Sequence, residues 1–213
     1  RAYVNKVLEK QGDNILSVFI YGSAAGNDFD VRISDINMAF IVKDSSCGKL
    51  QNTAGIIKEG LNKKINVPLF MTPGYINMSL DTFPMEFLTM RESRIILCGE
   101  DPLAGINIDR EDLRRECEHQ IKGKILHVRQ AYLLEASNGR FPGKMLWIIL
   151  KSLFPIFETM LFLKNGGYTR TRKEVLHGID AAFDLDMRPF MQILEIERLS
   201  GVVNKKAVVL YIE

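Results

Sequence analysis

The stretch that decides the fold is residues 21–43, YGSAAGNDFDVRISDINMAFIVK. It joins two runs rich in β-branched and aromatic residues, ILSVFIY at 15–21 and INMAFIV at 36–42. Such runs, bounded by glycine and polar residues, predict buried β-strands. The first strand ends in Gly22-Ser23, and Asp35 stands at the start of the second.

The residues that flank this loop suit a phosphate and a metal ion. Alternate residues of a strand point to the same side, so Asp35 and Asn37 face the same space. Gly22 allows the backbone to approach a phosphate closely, and Ser23 and the amides after it can donate hydrogen bonds to it. A carboxylate beside that pocket would hold Mg²⁺ against the same phosphates. The sequence therefore predicts a nucleotide-binding turn next to a magnesium site.

This arrangement resembles the nucleotidyltransferase superfamily of polymerase β type, which includes the minimal and the aminoglycoside nucleotidyltransferases. Their pattern is Gly-Ser, a short spacer, Asp-x-Asp or Asp-x-Glu opening a strand, and a third carboxylate on a later strand. Gly22-Ser23, Gly26 and Ser34-Asp35-Ile36 match that pattern. The resemblance implies an enzyme that transfers a nucleoside monophosphate from a Mg-NTP to an acceptor hydroxyl with the help of two Mg²⁺ ions.

The resemblance also implies roles for individual residues. Gly22 and Ser23 would bind the nucleotide, and Asp35, Asn37 and Glu86 would be the catalytic and metal-binding residues. Glu86 is assigned as the third carboxylate because it lies in FPMEFLTM, whose alternating pattern predicts a later strand. The expected partners are a nucleoside triphosphate and a small-molecule or protein acceptor.

Asn37 departs from the family pattern, because the second acidic position normally bridges both metal ions. An amide oxygen still ligates Mg²⁺, but one negative charge is lost, and a charge at about 4 Å is worth several kcal/mol at a surface-like dielectric. The alternative is therefore a catalytically weak or inactive module that binds nucleotide or a partner. Asp28 and Asp30, in the same loop, could also supply the missing carboxylate.

The apolar pattern changes period near residue 108, which predicts two domains. Residues 1–108 would form a nucleotidyltransferase-like domain and residues 109–213 a helical bundle domain. The predicted fold is α+β, a mixed sheet with flanking helices followed by a C-terminal helical bundle. Besides the two strands above, the expected elements of the first part are a helix at 48–64 and strands at 65–70, 83–90 and 94–98.

Composition excludes several classes of protein. A net charge of +2 is too small for the concentrated basic face that nucleic-acid binding usually needs. The three cysteines include no CxxC pair, so a disulfide framework or zinc site is not expected, and a reducing cytoplasm fits. A homodimer is left open.

One apolar segment, MLWIILKSLFPIFETMLFL at 145–163, has the length of a membrane span. Lys151 and Glu158 are seven residues apart, as are Ser152 and Thr159, so these four share one helical face. We therefore expect a core helix of a soluble bundle and no membrane contact. The same polar face offers Glu158 as a general base for an acceptor hydroxyl.

Overall fold

The computed structural model describes residues 1–26, 34–138, 143–168 and 171–198. The chain divides into two compact units, Arg1–Asp109 and Arg110–Glu213, which are described separately. The first unit holds a mixed sheet with flanking helices, and the described part of the second is helical, as the predicted α+β fold class requires.

Among the residues that the structure describes, the sheet of the first unit has four strands in the order β3-β2-β1-β4. Strand β1 is antiparallel to both β2 and β4, whereas β2 and β3 are parallel. The central position of β1 follows from its composition, because its β-branched and aromatic residues suit a strand that is buried between neighbours. The strand bounds are β1 (Ile15–Tyr21), β2 (Asn37–Val42), β3 (Leu69–Met71) and β4 (Arg94–Gly99).

Helices cover this sheet. On one face, Val18, Phe40 and Val42 are fully buried in a core that also contains Val7 of helix α1 and Ile56 of helix α3. Alternation along the strands places their neighbours on the other face, where Asn37 begins β2. The helices of this unit are α1 (Ala2–Gln11), α2 (Cys47–Leu50), α3 (Ala54–Leu61), α4 (Pro73–Met78) and α5 (Pro84–Glu92).

The strand predicted at 83–90 is wrong, because this segment forms helix α5. Pro84 occupies the first helical turn, where its fixed φ is favourable and its missing N–H costs nothing. Met85 and Leu88, three residues apart, are both buried, so the segment buries a helical face. Glu86 lies in the first turn, where a carboxylate interacts well with the helix dipole.

Two other predicted elements differ in length. The helix expected at 48–64 is interrupted by a 3₁₀ turn at Gln51–Thr53, where the Thr53 hydroxyl donates to the Leu50 carbonyl at 2.7 Å. Such a local bond competes with the helical pattern. The strand expected at 65–70 is shortened to β3, because Pro68 has no N–H to give to the ladder.

The second unit is built around helix α7. This helix contacts α6, α8 and α9, and its residues Leu146, Leu150 and Phe154 form a buried stripe at a spacing of four. A capping box opens α8, since Thr171 and Glu174 satisfy each other's backbone N–H groups. The bounds are α6 (Arg110–Ser137), α7 (Gly143–Asn165), α8 (Arg172–Phe183) and α9 (Arg188–Arg198).

Helix α7 is also long and apolar enough to cross a membrane. Among the described residues, Leu146–Asn165 is the one helical stretch that is long and apolar enough, with a mean hydropathy of 1.7. Its polar side chains are partly satisfied within the helix, because the Thr159 hydroxyl donates to the Pro155 carbonyl at 2.8 Å. Core helices of soluble proteins have the same length and apolar composition as membrane spans.

The end of β4 gives a test of the sheet. Gly99 has φ 76°, and a Cβ there would overlap the Leu16 carbonyl oxygen and lie 2.8 Å from Ser17 Cα. We expect Gly99→Ala to lower the free energy of unfolding by about 3 kcal/mol, through left-handed strain and backbone overlap.

Urea unfolding measures this loss, and Gly55→Ala is the matched control. Gly55 lies in α3 and its added Cβ would meet nothing within 4 Å, so we expect a gain of about 0.5–1 kcal/mol. Equal stability of Gly99→Ala and wild type would contradict the pairing of β1 with β4.

Candidate functional site

The turn after β1 is shaped by Gly22. The chain enters a short 3₁₀ turn at Gly22–Ala25, and Gly22 adopts φ 72°, a left-handed conformation that favours glycine. The Gly22 N–H donates to the Ser93 carbonyl at 3.0 Å, which ties the turn to the residue between α5 and β4. Ser23 and Gly26 belong to this anchored turn, and the Gly26 N–H donates to the Ser23 carbonyl at 3.2 Å.

The pairing of β1 with β2 brings the turn at Gly22 close to the start of β2. Tyr21 pairs with Asn37, so the turn that follows β1 lies beside the residues that open β2. A Cβ at Gly22 would lie 3.5 Å from Asn37 Nδ2, which shows how close the turn and the amide are. The space next to Gly22 is therefore lined by the Asn37 side chain.

Asp35 lies just before the bridge residue Ile36, two residues ahead of Asn37. Its neighbour Ile36 packs against the core shared with α1 and α3, and alternation along the strand places Asn37 on the opposite side. Asp35 is exposed and Asn37 is half-buried. The structure thus places Gly22 beside Asn37, with Asp35 two residues earlier in the chain. That Asp35 faces the same space stays a prediction, as do the ligand roles of all three residues.

The structure also adds Asn66, which the sequence reasoning missed. Ile36 and Ile65 form an isolated parallel bridge beside β2, and the Asn66 N–H donates to the Ile36 carbonyl at 3.0 Å. The Asn66 Nδ2 donates to Asn37 Oδ1 at 2.8 Å. No local motif marks Asn66, because the contact joins segments 29 residues apart.

The third predicted ligand, Glu86, is exposed on helix α5 rather than on a strand. Within the part of the chain that the structure describes, no three His, Cys, Asp or Glu side chains are grouped to hold a metal ion. Asp28 and Asp30 lie outside that part. The described residues therefore do not fit the set of carboxylates that two Mg²⁺ ions require.

A cavity of ≈ 420 Å³ lies at the other end of the sheet. Its lining includes Leu16 and Ser17 at the start of β1, Asn77 of α4, and Glu100 and Asp101 after β4. It is separated from the Gly22 turn by the length of β1, which runs from Ile15 to Tyr21. This cavity therefore does not belong to the predicted nucleotide site.

An ion pair fixes the strand that flanks the turn. Arg94, which pairs with Tyr21, binds the Asp101 carboxylate through its Nε and Nη2 atoms, with Nε 2.9 Å from Oδ1. Asp101 also accepts from the Leu103 N–H at 3.0 Å. The hydrogen bond from Arg94, with help from Leu103, lowers the pKa of Asp101 below its ordinary value.

In the second unit, Glu158 has a defined partner. The Tyr168 hydroxyl donates to Glu158 Oε2 at 2.8 Å. The carboxylate is thereby held in place on α7. A role as general base stays a prediction.

Comparison with known proteins identifies the fold. No protein-family profile and no curated sequence matches this chain. Among solved structures, the chain is similar to spectinomycin adenyltransferase AAD(9) from Enterococcus faecialis, determined with ATP and spectinomycin. The TM-score is 0.61 over 99% of this chain and 94% of that chain, at 12% identity. This chain therefore shares the fold of that adenyltransferase.

The Arg94–Asp101 pair leads to a prediction about pH. The pKa of Asp101 is lower in the folded state than in the unfolded chain, where it is about 4. The ionised carboxylate therefore stabilises the fold fully at pH values above about 4. This stabilisation is lost as the pH falls from there through the folded-state pKa. We expect Asp101→Asn to lower the free energy of unfolding by about 1–2 kcal/mol at pH 7 and by less at pH 3.

Denaturant titrations of both proteins at the two pH values provide the measurement. Glu100→Gln is the control, because Glu100 is an exposed neighbour of Asp101. A difference between wild type and Asp101→Asn that is independent of pH would show that the ion pair does not stabilise the fold.

Proposed function

We propose that this protein binds a nucleoside triphosphate at the Gly22–Ser23 turn and transfers its nucleoside monophosphate to an acceptor hydroxyl. The observation that carries the proposal is the pairing of Tyr21 with Asn37, which sets the turn beside the Asp35–Asn37 segment. The nucleotidyltransferase fold supports the same reading. The divalent ion enters with the substrate, as Mg-NTP.

The chain's own residues would bind and orient the triphosphate. Gly22 has no side chain, so phosphate oxygens can approach its backbone closely. Ser23 offers a hydroxyl donor in the same turn, and Asp35 offers an exposed carboxylate beside it. In the transfer, the acceptor oxygen forms a bond to the α-phosphorus in line with the departing pyrophosphate, and the hydroxyl proton is released.

ATP is the nucleotide to test first, because the similar spectinomycin adenyltransferase was determined with ATP. That structure also contains spectinomycin, so small molecules that carry several hydroxyl groups are the first acceptors to test. A protein hydroxyl is the other class of acceptor. We further propose that the protein acts in the cytoplasm and that α7 is a core helix, since its stripe of Leu146, Leu150 and Phe154 is buried.

A second candidate function is nucleotide binding without turnover. It is favoured by the hydrogen bond from Asn66 to Asn37, which engages the oxygen that a metal ion would need. It is also favoured by the missing group of three acidic side chains among the described residues. In this case the protein would serve as a nucleotide-dependent partner for another molecule.

Release of pyrophosphate from MgATP in the presence of candidate acceptors tests the first proposal. We expect Asp35→Ala to reduce the rate on the order of 100-fold, as loss of a group that stabilises the transferring phosphate does. Asp13→Ala, which removes an exposed carboxylate before β1, serves as the control and should keep the wild-type rate. Mass spectrometry of the acceptor verifies that a nucleotide has been added.

The outcomes separate the two functions. Turnover that depends on Asp35 supports the transferase. A wild type that binds MgATP but releases no pyrophosphate, together with an Asn37→Asp variant that gains turnover, supports the binding module. Turnover that survives Asp35→Ala unchanged would reject this site for either function.

A further inference from the structure

Two amide side chains meet at the edge of the sheet where the triphosphate is proposed to bind. Their backbones are fixed, because the Ile36 N–H donates to the Lys64 carbonyl at 2.8 Å and the Asn66 N–H donates to the Ile36 carbonyl at 3.0 Å. Asn37 follows directly and pairs with Tyr21 of β1. The contact between Asn66 Nδ2 and Asn37 Oδ1, at 2.8 Å, is therefore set by the strand register.

This contact determines which end of the Asn37 amide faces the turn. Its oxygen accepts from Asn66, while its nitrogen lies 3.5 Å from the position of a Gly22 Cβ. A carboxamide carries one acceptor end and one donor end, so the space beside Gly22 is lined by N–H groups. Such a surface binds a phosphate oxygen and does not ligate Mg²⁺, which takes oxygen ligands.

Asn66 also lies close enough to residue 37 for side chains at the two positions to share an ion. A ligand that shares an ion with residue 37 must lie within a few ångströms of it, and Asn66 contacts Asn37 directly from the neighbouring segment. Aspartates at both positions would set two negative charges within hydrogen-bond distance, which a bound cation would have to compensate. With two amides the pair is neutral and satisfied without an ion.

We propose that Asn37 and Asn66 form an amide clamp in place of two metal-binding carboxylates, and that Asn37 Nδ2 binds a phosphate oxygen of the nucleotide. The protein then holds a single divalent ion, the one that arrives with the triphosphate beside Asp35. Asn66 is a positioning residue, since it acts by orienting Asn37. This inference rests on the proposed nucleotide binding, except for the claim that the two amides bind no metal ion, which is tested without nucleotide.

The first experiment compares thermal melting with and without Mg²⁺ in the absence of nucleotide. The variants are Asn37→Asp with Asn66→Asp, and the control Asn5→Asp with Asn52→Asp, which adds the same charge at exposed positions. We expect the site variant to melt lower than wild type without Mg²⁺, and to regain at least about 2–4 °C when Mg²⁺ is added. Wild type and the control should respond to Mg²⁺ by less than that.

The second experiment counts ions with Mn²⁺ as the probe, by electron paramagnetic resonance during titration with ATP. We expect one Mn²⁺ per bound nucleotide in wild type and two in the double variant. We also expect Asn66→Asp to weaken MnATP binding on the order of tenfold. A carboxylate at position 66 only accepts hydrogen bonds, so the Asn37 amide would turn its NH₂ group toward residue 66 and its oxygen toward Gly22. This single variant decides the question if the double variant does not fold.

Two results would overturn the clamp. One is a wild type that binds two Mn²⁺ ions per nucleotide, and the other is an Asn66→Asp variant with wild-type affinity for MnATP. A wild type that binds no nucleotide rejects the proposed function instead. In that case the melting experiment still tests whether the two amides bind a metal ion. A large rise in the melting temperature of wild type with Mg²⁺ would overturn the claim that they do not. A rise confined to the double variant would support it.

Discussion

The antiparallel pairing of β1 with β2 is the constraint on which the candidate site depends. A strand pair has a side-chain period of two, so a slip by one residue would turn Asn37 to the opposite face of the sheet. The register is held by burial, because Val18 pairs with Phe40 and both side chains are fully buried. The same register sets Tyr21 opposite Asn37 and so closes the loop that begins at Gly22.

The neighbouring segments hold this edge from both sides. On one side, the Gly22 N–H is bound by the Ser93 carbonyl at the start of β4, where Arg94 is paired with Asp101. On the other side, the parallel bridge between Ile36 and Ile65 carries Asn66 to Asn37. A turn anchored in this way keeps its donors oriented before a ligand arrives, which reduces the cost of ordering on binding.

The sequence predicted the parts of the site whose signals are local. Strand β1, the glycine turn and strand β2 follow from composition and from the spacing of Gly22-Ser23 and Asp35, and β4 begins at Arg94 as expected. Helix α5 was missed because FPMEFLTM alternates like a strand, although Pro84 starts a helix that buries Leu88. Asn66 was missed because its contact depends on a pairing between distant segments, which periodicity does not reveal.

We expect one pocket beside Gly22 to hold the metal-bound triphosphate. A crystal structure with Mn²⁺ and a non-hydrolysable ATP analogue tests it most directly, since the anomalous signal locates the ion. The expected result is one Mn²⁺ beside Asp35, with phosphate oxygens within hydrogen-bond distance of the Ser23 turn and Asn37 Nδ2. Phosphates bound instead in the cavity near Leu16 and Glu100, with no anomalous peak at Asp35, would contradict it.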